Sequence, residues 1–426
     1  MFKSYEIYDD LSFVGNLNIL SHNYFSFKYS SEWLQNDTAF NIDPKLAFNT
    51  DEQFSNDLLG IFKDISPDRW GKIIQNRSAN HKLFDYEYML GVSDYFRMGS
   101  IRIKDNNEFI SKNTNVPKLT HLSELENASS KLENEEYTQE DLRILFESGS
   151  SIGGARPKVS ILHDNELYLA KFSSKNDEEQ VILWEKTMLD LANIANLKVA
   201  KSFIVPSFKN GILLLKRFDR YLNDNNELKR IPFISAMTLL GAKDMEQNHS
   251  YIDLADKLNS QNKQELFARM VFNGLFGNTD DHLRNHGLLY ERENKMWNLS
   301  PAYDLNPNNL EYKKQYHALN FIDNYNTPSL ELFYEIKDFF DIDKNLFKEI
   351  LGNMQNVVKQ YELIAKKNGL KQAEINYHKE NFANSDVLQI QDFVNKISQT
   401  ATQQPKKELR SKDILGEVAN KKEHKE

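Results

Sequence analysis

Apolar and polar residues alternate along several short stretches in the first half of the chain. The alternation occurs at residues 12–20 (SFVGNLNIL) and 24–34 (YFSFKYSSEWL). Residues 95–103 (YFRMGSIRI) are a further strand candidate, and a second mixed region contains KVSIL, ELYLAKF, FIVPSF and GILLLKRFDR. A period of two places successive side chains on opposite faces of a β-strand. We therefore predict that this half of the protein is rich in half-buried strands.

Helical spacing of apolar residues dominates after about residue 250. KQELFARMVFNGLFG, which ends at Gly277, and DKNLFKEILGNMQNVVKQYELIAKK each carry an apolar face. Two earlier helices are predicted: residues 178–195, and SPDRWGKIIQNR with Ser66 as N-cap and Pro67 at the first helical position. Strands followed by helices favour an α+β protein with two lobes that face each other across a cleft.

Composition divides the chain into five segments. They are a compact N-terminal subdomain at 1–104, a polar connecting segment with one or two exposed helices at 105–140, a second strand-containing region at 141–240, a helical region at 241–400, and a tail at 401–426. The tail is highly charged and poor in apolar residues, so we expect it to be disordered.

Composition and charge exclude several classes of protein. Hydrophobic residues make up 40% of the 426 residues, which is enough for a sizeable core, and the net charge of −9 disfavours a generally basic nucleic-acid-binding surface. The chain has no cysteine, so disulfides and thiolate metal sites are excluded. No stretch approaches the roughly 18 apolar residues of a membrane span, and the first residues lack the apolar core of a signal peptide. We expect a cytoplasmic protein without a membrane partner.

Small residues cluster before a predicted strand in ESGSSIGGARPKVSIL. Gly149 and Gly154 have the spacing of a Walker motif, but Ala155 stands where that motif needs lysine. The backbone N–H groups of such a loop, followed by Arg156 and Lys158, can surround an anion. An ordinary flexible turn is the alternative.

Two charged residues border predicted apolar surfaces. Lys171 shares one strand face with Leu167 and Leu169, where it requires a partner anion unless it reaches solvent at the strand end. Glu185 borders the apolar stripe of the following helix and is a candidate partner for Lys171. A solvated glutamate is the alternative.

The polar stretch FGNTDDHLRNHGLL is followed by HGLLY, a turn at RENK, and MWNLSPAYDLNP, which predicts a hairpin. That hairpin would fold Asp304 back beside Asn285, and the two oxygen ligands suit Mg²⁺. Asp280 would be left to act as a base or to orient an attacking hydroxyl. Alternatively, these groups only cap helices and turns. A metallohydrolase is disfavoured because Leu283 stands where the H-E-x-x-H motif needs glutamate.

These features follow one another in the order used for protein-kinase-type phosphoryl transfer. A Gly/Ser loop, a strand lysine, a helix glutamate, an aspartate with a nearby asparagine and a second aspartate appear in sequence. The literal H-R-D and D-F-G signatures of protein kinases are missing.

The chain resembles the HipA-like serine/threonine kinases, the toxins of type II toxin–antitoxin pairs. The resemblance rests on SSIGGARPK, ELYLAKF, LLLKRFDR, GNTDDHLRNHGLL and LSPAYDLNP, in that order, with FSFKYSSEWL and SPDRWGK matching the N-terminal subdomain. It implies a bilobal protein-kinase-like fold of the HipA type, with an extra N-terminal subdomain, a strand-rich N-lobe and a mostly helical C-lobe. It also implies ATP and Mg²⁺ as cofactors.

The resemblance assigns roles to individual residues. Asp280 is implied as the catalytic aspartate and Lys171 as the contact to the α- and β-phosphates. The implied cover of the phosphates consists of Gly153, Gly154, Ala155, Arg156, Pro157 and Lys158. Backbone groups of Lys216, Arg217 and Phe218 would lie beside adenine, His282 to Asn285 near the nucleotide, and Asn285 and Asp304 on Mg²⁺. Autophosphorylation is implied at Ser151, with Ser150 and Ser148 as alternatives.

The resemblance also implies partners. A growth-inhibiting toxin of this kind is expected to be regulated by autophosphorylation and by a small helix-turn-helix antitoxin, and to contact DNA only through that antitoxin. The protein substrates of the family are often aminoacyl-tRNA synthetases, so the resemblance makes a synthetase one candidate substrate, although nothing in this sequence selects one. Two alternatives remain: a catalytically weak nucleotide-binding module that holds a partner, and a kinase effector that acts on host proteins.

Overall fold

The computed structural model describes residues 3–111, 116–149, 154, 156–244, 246, 248–311 and 316–399. These residues form two compact units. Unit 1 takes the described residues of Met1–Ile182, Ala200–Ala242 and Arg284–Pro301, and unit 2 takes those of Leu183–Val199, Lys243–Leu283 and Ala302–Glu426. Every strand in the described ranges lies in unit 1, whereas unit 2 is helical. The predicted α+β fold with a strand-rich and a helical lobe is confirmed.

Fifteen strands are found in the described ranges. They are β1 (Lys3–Asp9), β2 (Ser12–Ser21), β3 (Tyr24–Tyr29), β4 (Gln53–Ser55), β5 (Ile101–Asp105), β6 (Glu108–Phe109), β7 (Lys158–His163), β8 (Glu166–Lys171), β9 (Ser202–Val205), β10 (Ile212–Lys216), β11 (Arg220–Leu222), β12 (Leu228–Arg230), β13 (Phe233–Ser235), β14 (Gly287–Glu291) and β15 (Met296–Leu299). They form a six-stranded sheet in the order β4-β3-β2-β1-β5-β6, a four-stranded sheet in the order β7-β8-β10-β9, the pair β11-β12, and the three-stranded sheet β13-β14-β15.

The helices alternate with these strands and then dominate. They are α1 (Ser31–Leu34), α2 (Gly60–Asp64), α3 (Arg69–Ser78), α4 (Asp85–Gly91), α5 (Leu122–Glu133), α6 (Gln139–Glu147), α7 (Val181–Ile194), α8 (Ala236–Leu240), α9 (Tyr251–Ala255), α10 (Ser260–Phe276), α11 (Leu330–Ile336), α12 (Lys344–Lys367), α13 (Gln372–Tyr377) and α14 (Ser385–Gln399). Short 3₁₀ turns occupy Leu119–His121, Leu283–Asn285, Lys337–Phe340 and Lys379–Phe382.

Two predicted strands are shorter than the alternation indicated. The strand at 24–34 ends at Tyr29, because Ser30 accepts a hydrogen bond from the backbone N–H of Trp33 and starts α1. The strand at 95–103 begins only at Ile101. The alternation therefore located both strands but not the ends set by local capping.

The predicted N-cap of α3 was wrong by two residues. Asp68 caps the helix by accepting a hydrogen bond from Gly71 N–H at 2.7 Å, and Pro67 precedes the helix. The Ser66 hydroxyl instead donates to the Phe62 carbonyl. Asp68 is the better acceptor here, because its carboxylate serves a helix N-terminus with a partial positive charge.

The segment after β6 does not carry only exposed helices. Leu122, Leu125 and Leu132 of α5 are buried, and they lie in one core cluster with the inner faces of β7, β8 and β10. These leucines follow helical spacing. The exposed-helix prediction was wrong because the polar residues between them outnumber the apolar ones.

Unit 2 is built around α10. Phe267, Met270 and Phe272 are fully buried, and Phe267 packs against Phe340 and Phe347. Gly277 ends α10 in the left-handed conformation, as predicted, with φ of 75°. The part of the chain that the structure describes contains no helix long and apolar enough to span a bilayer.

Candidate functional site

Two buried lysines lie opposite each other on adjacent strands of unit 1. Lys158 of β7 pairs with Lys171 of β8 in the antiparallel register, and their side chains are 3% and 6% exposed. Directly opposed side chains share one face of the sheet, here the face opposite to core residues Val159 and Ala170. The alternative in which Lys171 reaches solvent is wrong. Two buried ammonium groups on one face create a strong preference for an anion.

The described part of the Gly/Ser loop is anchored at both ends. Ser160 N–H donates to the Ser148 carbonyl at 2.9 Å, and Phe172 N–H donates to the Pro157 carbonyl at 2.9 Å. The loop therefore starts and ends beside β7 and β8. Arg156 forms an ion pair with Asp177 at 3.0 Å. Gly153, Ala155, Ser150 and Ser151, which were predicted to take part in this loop's function, lie outside the described residues.

Gly154 has a conformation and a contact that both require glycine. Its φ is +115°, and a Cβ added there would lie 2.5 Å from Lys158 Nζ. The backbone of Gly154 therefore lies directly over the Lys158 ammonium group.

Ser148, an alternative phosphate acceptor, is buried. Its hydroxyl donates to the Ile144 carbonyl at 2.6 Å. A hydroxyl held in this way is poorly placed to accept a phosphoryl group, which favours the other two serines.

The predicted adenine-binding segment has part of its backbone already engaged. Lys216 N–H donates to the Lys201 carbonyl and Arg217 N–H donates to the Leu167 carbonyl, each at 2.8 Å. A contact to adenine would therefore come from Phe218 or from backbone carbonyls. This assignment stays a prediction.

The Arg217 side chain has a different and structural role. Asp219 is buried and accepts hydrogen bonds from Arg217, Arg220 and Gly99 N–H at 2.5 to 2.7 Å. Although burial acts to raise it, the two guanidinium charges hold the pKa of Asp219 well below its usual range. The arginines also donate to the carbonyl of Arg97. This arginine–aspartate cluster of Arg217, Asp219 and Arg220 joins the loop before β5 to the chain that follows β10.

In unit 2, the loop that follows α10 is held beside the loop that carries Asp304. Asn308 N–H donates to the Gly277 carbonyl at 2.8 Å, and Asn306 N–H donates to Asn278 Oδ1 at 3.4 Å. Asp280 follows two residues after Asn278, and Asp304 precedes Asn306 by two. The two predicted carboxylates are therefore carried by neighbouring, hydrogen-bonded loops.

The two adjacent aspartates have different environments. Asp280 is exposed, whereas Asp281 is buried and accepts a hydrogen bond from the Tyr251 hydroxyl. Asn273 Nδ2 lies 3.3 Å from the same hydroxyl. Asp281 thus anchors the loop, and Asp280 is the carboxylate that can meet a substrate.

His317 packs beside this anchor as a neutral ring. Burial lowers the pKa of His317 to about 4, although the charge of Asp281 acts in the opposite direction. A neutral imidazole lets the Tyr251–Asp281 pair persist through the physiological pH range without a competing cation.

Several buried polar atoms of unit 2 have no hydrogen-bond partner among the described residues, and two of them lie in the loops that carry Asp280 and Asp304. These two are His282 Nδ1 and Asn306 Oδ1. Asn306 Nδ2 donates to Asp304 Oδ1 at 3.3 Å, so its orphaned carbonyl oxygen lies next to the Asp304 carboxylate. Carboxylate and amide oxygens form the hard donor set that suits Mg²⁺, which binds few protein ligands and keeps waters and phosphates. Within the described ranges, no group of three or more His, Asp or Glu side chains could hold a metal.

The predicted hairpin is confirmed. β14 and β15 pair in antiparallel register, and Ser300 N–H donates a hydrogen bond to the Gly287 carbonyl at 2.8 Å. The approach of Asp304 to Asn285, and the roles of both on Mg²⁺, stay predictions. Glu185 is buried, so its solvated alternative is wrong, while its pairing with Lys171 stays a prediction.

Asp64 connects α2 to the turn before α8 within unit 1. Its carboxylate accepts hydrogen bonds from Ser235 N–H and Ser235 Oγ, both at 2.7 Å. Burial raises the pKa of Asp64 to about 6, against the smaller opposing effects of these hydrogen bonds and of Arg284. Asp64 therefore holds Ser235 by hydrogen bonds, and its charge changes near neutral pH.

The raised pKa of Asp64 predicts that the free energy of unfolding depends on pH. The pKa of Asp64 is raised from 3.8 to about 6 in the folded protein. The stabilisation that protonation of Asp64 provides is therefore fully present below pH 3.8 and is lost as the pH rises through 6. Between about pH 5 and about pH 7.5, the free energy of unfolding of the natural chain should fall by about 1 kcal/mol relative to Asp64→Asn. Urea denaturation of both proteins at the two pH values measures this difference. A difference that does not change with pH would contradict the assignment.

Several residues of these clusters were not predicted from the sequence. Asp68, Asp64, Tyr251, His317 and Asn306 act through contacts to chain segments that are distant in sequence. Only Asn306 had a local signal, because it follows Asp304 within the quoted YDLNP stretch.

Comparison with known proteins finds one matching family model and two similar solved structures. Residues 150–361 match the model of the HipA-like C-terminal domain. The solved structure of HipA from Shewanella oneidensis MR-1, a toxin–antitoxin system complex with HipB and operator DNA, aligns with a TM-score of 0.70 at 16% identity, covering 93% of this chain and 100% of that chain. The Helicobacter pylori proinflammatory kinase CtkA aligns with a TM-score of 0.43 at 15% identity, covering 58% of this chain and 94% of that chain. No curated protein matches the chain.

Proposed function

Because residues 150–361 of this chain match the HipA-like C-terminal domain, we propose that the protein is an ATP-dependent serine/threonine protein kinase. The observation that carries the proposal is the pair of buried lysines, Lys158 and Lys171, opposite each other on adjacent strands, with Gly154 over Lys158. Two ammonium groups on one strand face suit the phosphates of a nucleotide. The fold shared with HipA supports the same conclusion.

Each residue of the proposed mechanism acts by position and charge. Asp280, which is exposed, accepts the proton of the substrate hydroxyl and orients its oxygen. Lys171 and Lys158 neutralise the charge of the phosphates, and Gly154 lets the loop backbone approach them. Asn285 and Asp304 are the proposed ligands of Mg²⁺, and Asn306 donates a hydrogen bond to Asp304. Mg²⁺ held by Asn285 and Asp304 would offset the negative charge of the phosphates.

We further propose that the kinase is a cytoplasmic, growth-inhibiting toxin controlled by a small helix-turn-helix antitoxin. The support is the fold shared with a HipA that is described in complex with HipB and operator DNA. DNA would then be contacted only through the antitoxin. The substrate is best sought first among aminoacyl-tRNA synthetases, as the family resemblance implies.

Autophosphorylation tests the proposed activity. Purified chain incubated with Mg-ATP should gain phosphate on the peptide that contains Ser150 and Ser151, with Ser151 as the expected acceptor. Ser148 should remain unmodified because its hydroxyl is buried and bonded to Ile144. Peptide mass spectrometry locates the modification, and a parallel incubation with a chelator is the control. If ATP binds but no phosphate appears on any peptide or added protein, the chain is instead a nucleotide-binding module that holds a partner.

A further inference from the structure

A carboxylate from the N-terminal part of unit 1 reaches the paired lysines. Asp68 Oδ2 accepts a hydrogen bond from Lys158 Nζ at 2.8 Å, across 90 residues of sequence. The two side chains are 4% and 3% exposed, so this is a buried ion pair. Asp68 lies outside the range 150–361 that matches the family.

Both oxygens of Asp68 are engaged, and they point in defined directions. Oδ1 caps α3 by accepting from Gly71 N–H at 2.7 Å, while Oδ2 holds Lys158. A carboxylate held from both sides cannot rotate, so it fixes the ammonium group of Lys158 in space. That group in turn lies under Gly154, where an added Cβ would come within 2.5 Å of Nζ.

The charge of the second lysine, Lys171, also acts on Asp68. Burial raises the pKa of Asp68, and the positive charges of both Lys158 and Lys171 oppose that rise. Like charges placed directly opposite each other on paired strands repel. A carboxylate beside them lets Lys158 and Lys171 remain on one face within the fold.

We propose that Asp68 is a positioning residue for the nucleotide: it holds Lys158 beneath Gly154, on the strand face that presents Lys171. This inference rests on the proposed kinase function, because it assigns Lys158 to the phosphates. Without Asp68, repulsion from Lys171 and the solvation of a free ammonium group would turn the flexible Lys158 side chain away from the loop.

Asp68→Asn separates the charge of this residue from its capping role. Asparagine caps helices as well as aspartate does, so α3 keeps its acceptor for Gly71 N–H while Lys158 loses its counter-charge. We expect the dissociation constant and the KM for Mg-ATP to rise about 10- to 100-fold, the effect of one charge-assisted hydrogen bond, with kcat changed much less. Asp68→Glu should restore part of the affinity. Calorimetric titration with Mg-ATP measures binding independently of activity.

Two controls show whether the effect passes through Lys158. Asp343→Asn makes the same change at the exposed N-cap of α12 and should leave the affinity unaltered. Lys158→Met removes the other partner, and adding Asp68→Asn to it should cause no further loss of affinity. The double variant also covers the case in which Asp68→Asn alone fails to fold, because replacing both members of a buried ion pair is far better tolerated than removing one.

The outcomes separate this inference from the proposed function. If the natural chain does not bind Mg-ATP, the kinase proposal itself fails. If the natural chain binds and Asp68→Asn binds equally well or more tightly, Asp68 is a structural or competing anion and the positioning role is overturned. Additive losses in the double variant would overturn it as well.

Discussion

Replacing Asp280 by asparagine should reduce phosphate transfer at least about a hundredfold while leaving the affinity for Mg-ATP unchanged. The carboxylate is exposed at the end of a loop that is anchored by Asp281, so the change removes a proton acceptor without disturbing the fold. An amide cannot accept the hydroxyl proton, but it occupies the same volume. Transfer of labelled phosphate from ATP to the chain measures the rate, and calorimetry measures the affinity.

Asp256→Asn is the matched control for this change. Asp256 is also an exposed aspartate of unit 2, located at the end of α9. The control should transfer phosphate at the rate of the natural chain. An Asp280→Asn variant that transfers phosphate at that same rate would remove Asp280 from the mechanism. If the chain is a toxin, induced expression should stop growth with the natural sequence and not with Asp280→Asn.

Replacing Asp219 by alanine should lower the free energy of unfolding by about 3 to 5 kcal/mol. The change leaves Arg217 and Arg220 buried without the carboxylate that accepts from both of them. It also removes the acceptor of Gly99 N–H, which joins the loop before β5 to the cluster. Unfolding in guanidinium chloride, followed by circular dichroism, measures the loss.

Asp57→Ala provides the comparison for Asp219→Ala. Asp57 also pairs with a basic side chain, Lys63, but its own side chain is 53% exposed. Exposed ion pairs contribute up to about 1 kcal/mol, so this variant should remain close to the natural chain. If both variants lose the same free energy of unfolding, burial of the arginine–aspartate cluster does not determine how much the cluster stabilises the fold.

The sequence predicted most of the features that depend on local pattern. β7, β8, β10, α7 and the β14–β15 hairpin all occur where alternation or helical spacing indicated them. Gly277 ends α10 as predicted, because a left-handed residue that closes a helix is usually glycine. These features arise within a few residues, so a local pattern is sufficient to find them.

The features that the sequence could not predict depend on partners far along the chain. The sequence predicted Ser66 as the N-cap of α3, whereas the structure has Asp68 there, which also accepts a hydrogen bond from Lys158, 90 residues away. Burial of α5 required knowledge of the strand face it covers. Tyr251 gave no local sign that its hydroxyl would hold Asp281, since the pairing exists only after α9 and α10 pack.

The sequence indicated some residues of the candidate site and not others, for the same reason. Residue types and their order pointed to Lys171, Asp280, Asn285 and Asp304, because phosphoryl transfer needs cations, a base and oxygen ligands in a recurring order. The supporting residues Asp68 and Asn306 have no such signature. Asp68 accepts a hydrogen bond from Lys158, and Asn306 donates one to Asp304.

The central claim is that Lys171, Asn285 and Asp304 bind one magnesium nucleotide. The measurement that tests it most directly is a crystal structure of the chain with Mg²⁺ and a non-hydrolysable ATP analogue. We predict that oxygen atoms of Asn285 and Asp304 coordinate the ion and that the Lys171 ammonium group contacts the α- or β-phosphate. A nucleotide bound elsewhere, or an ion that contacts neither Asn285 nor Asp304, would contradict the account.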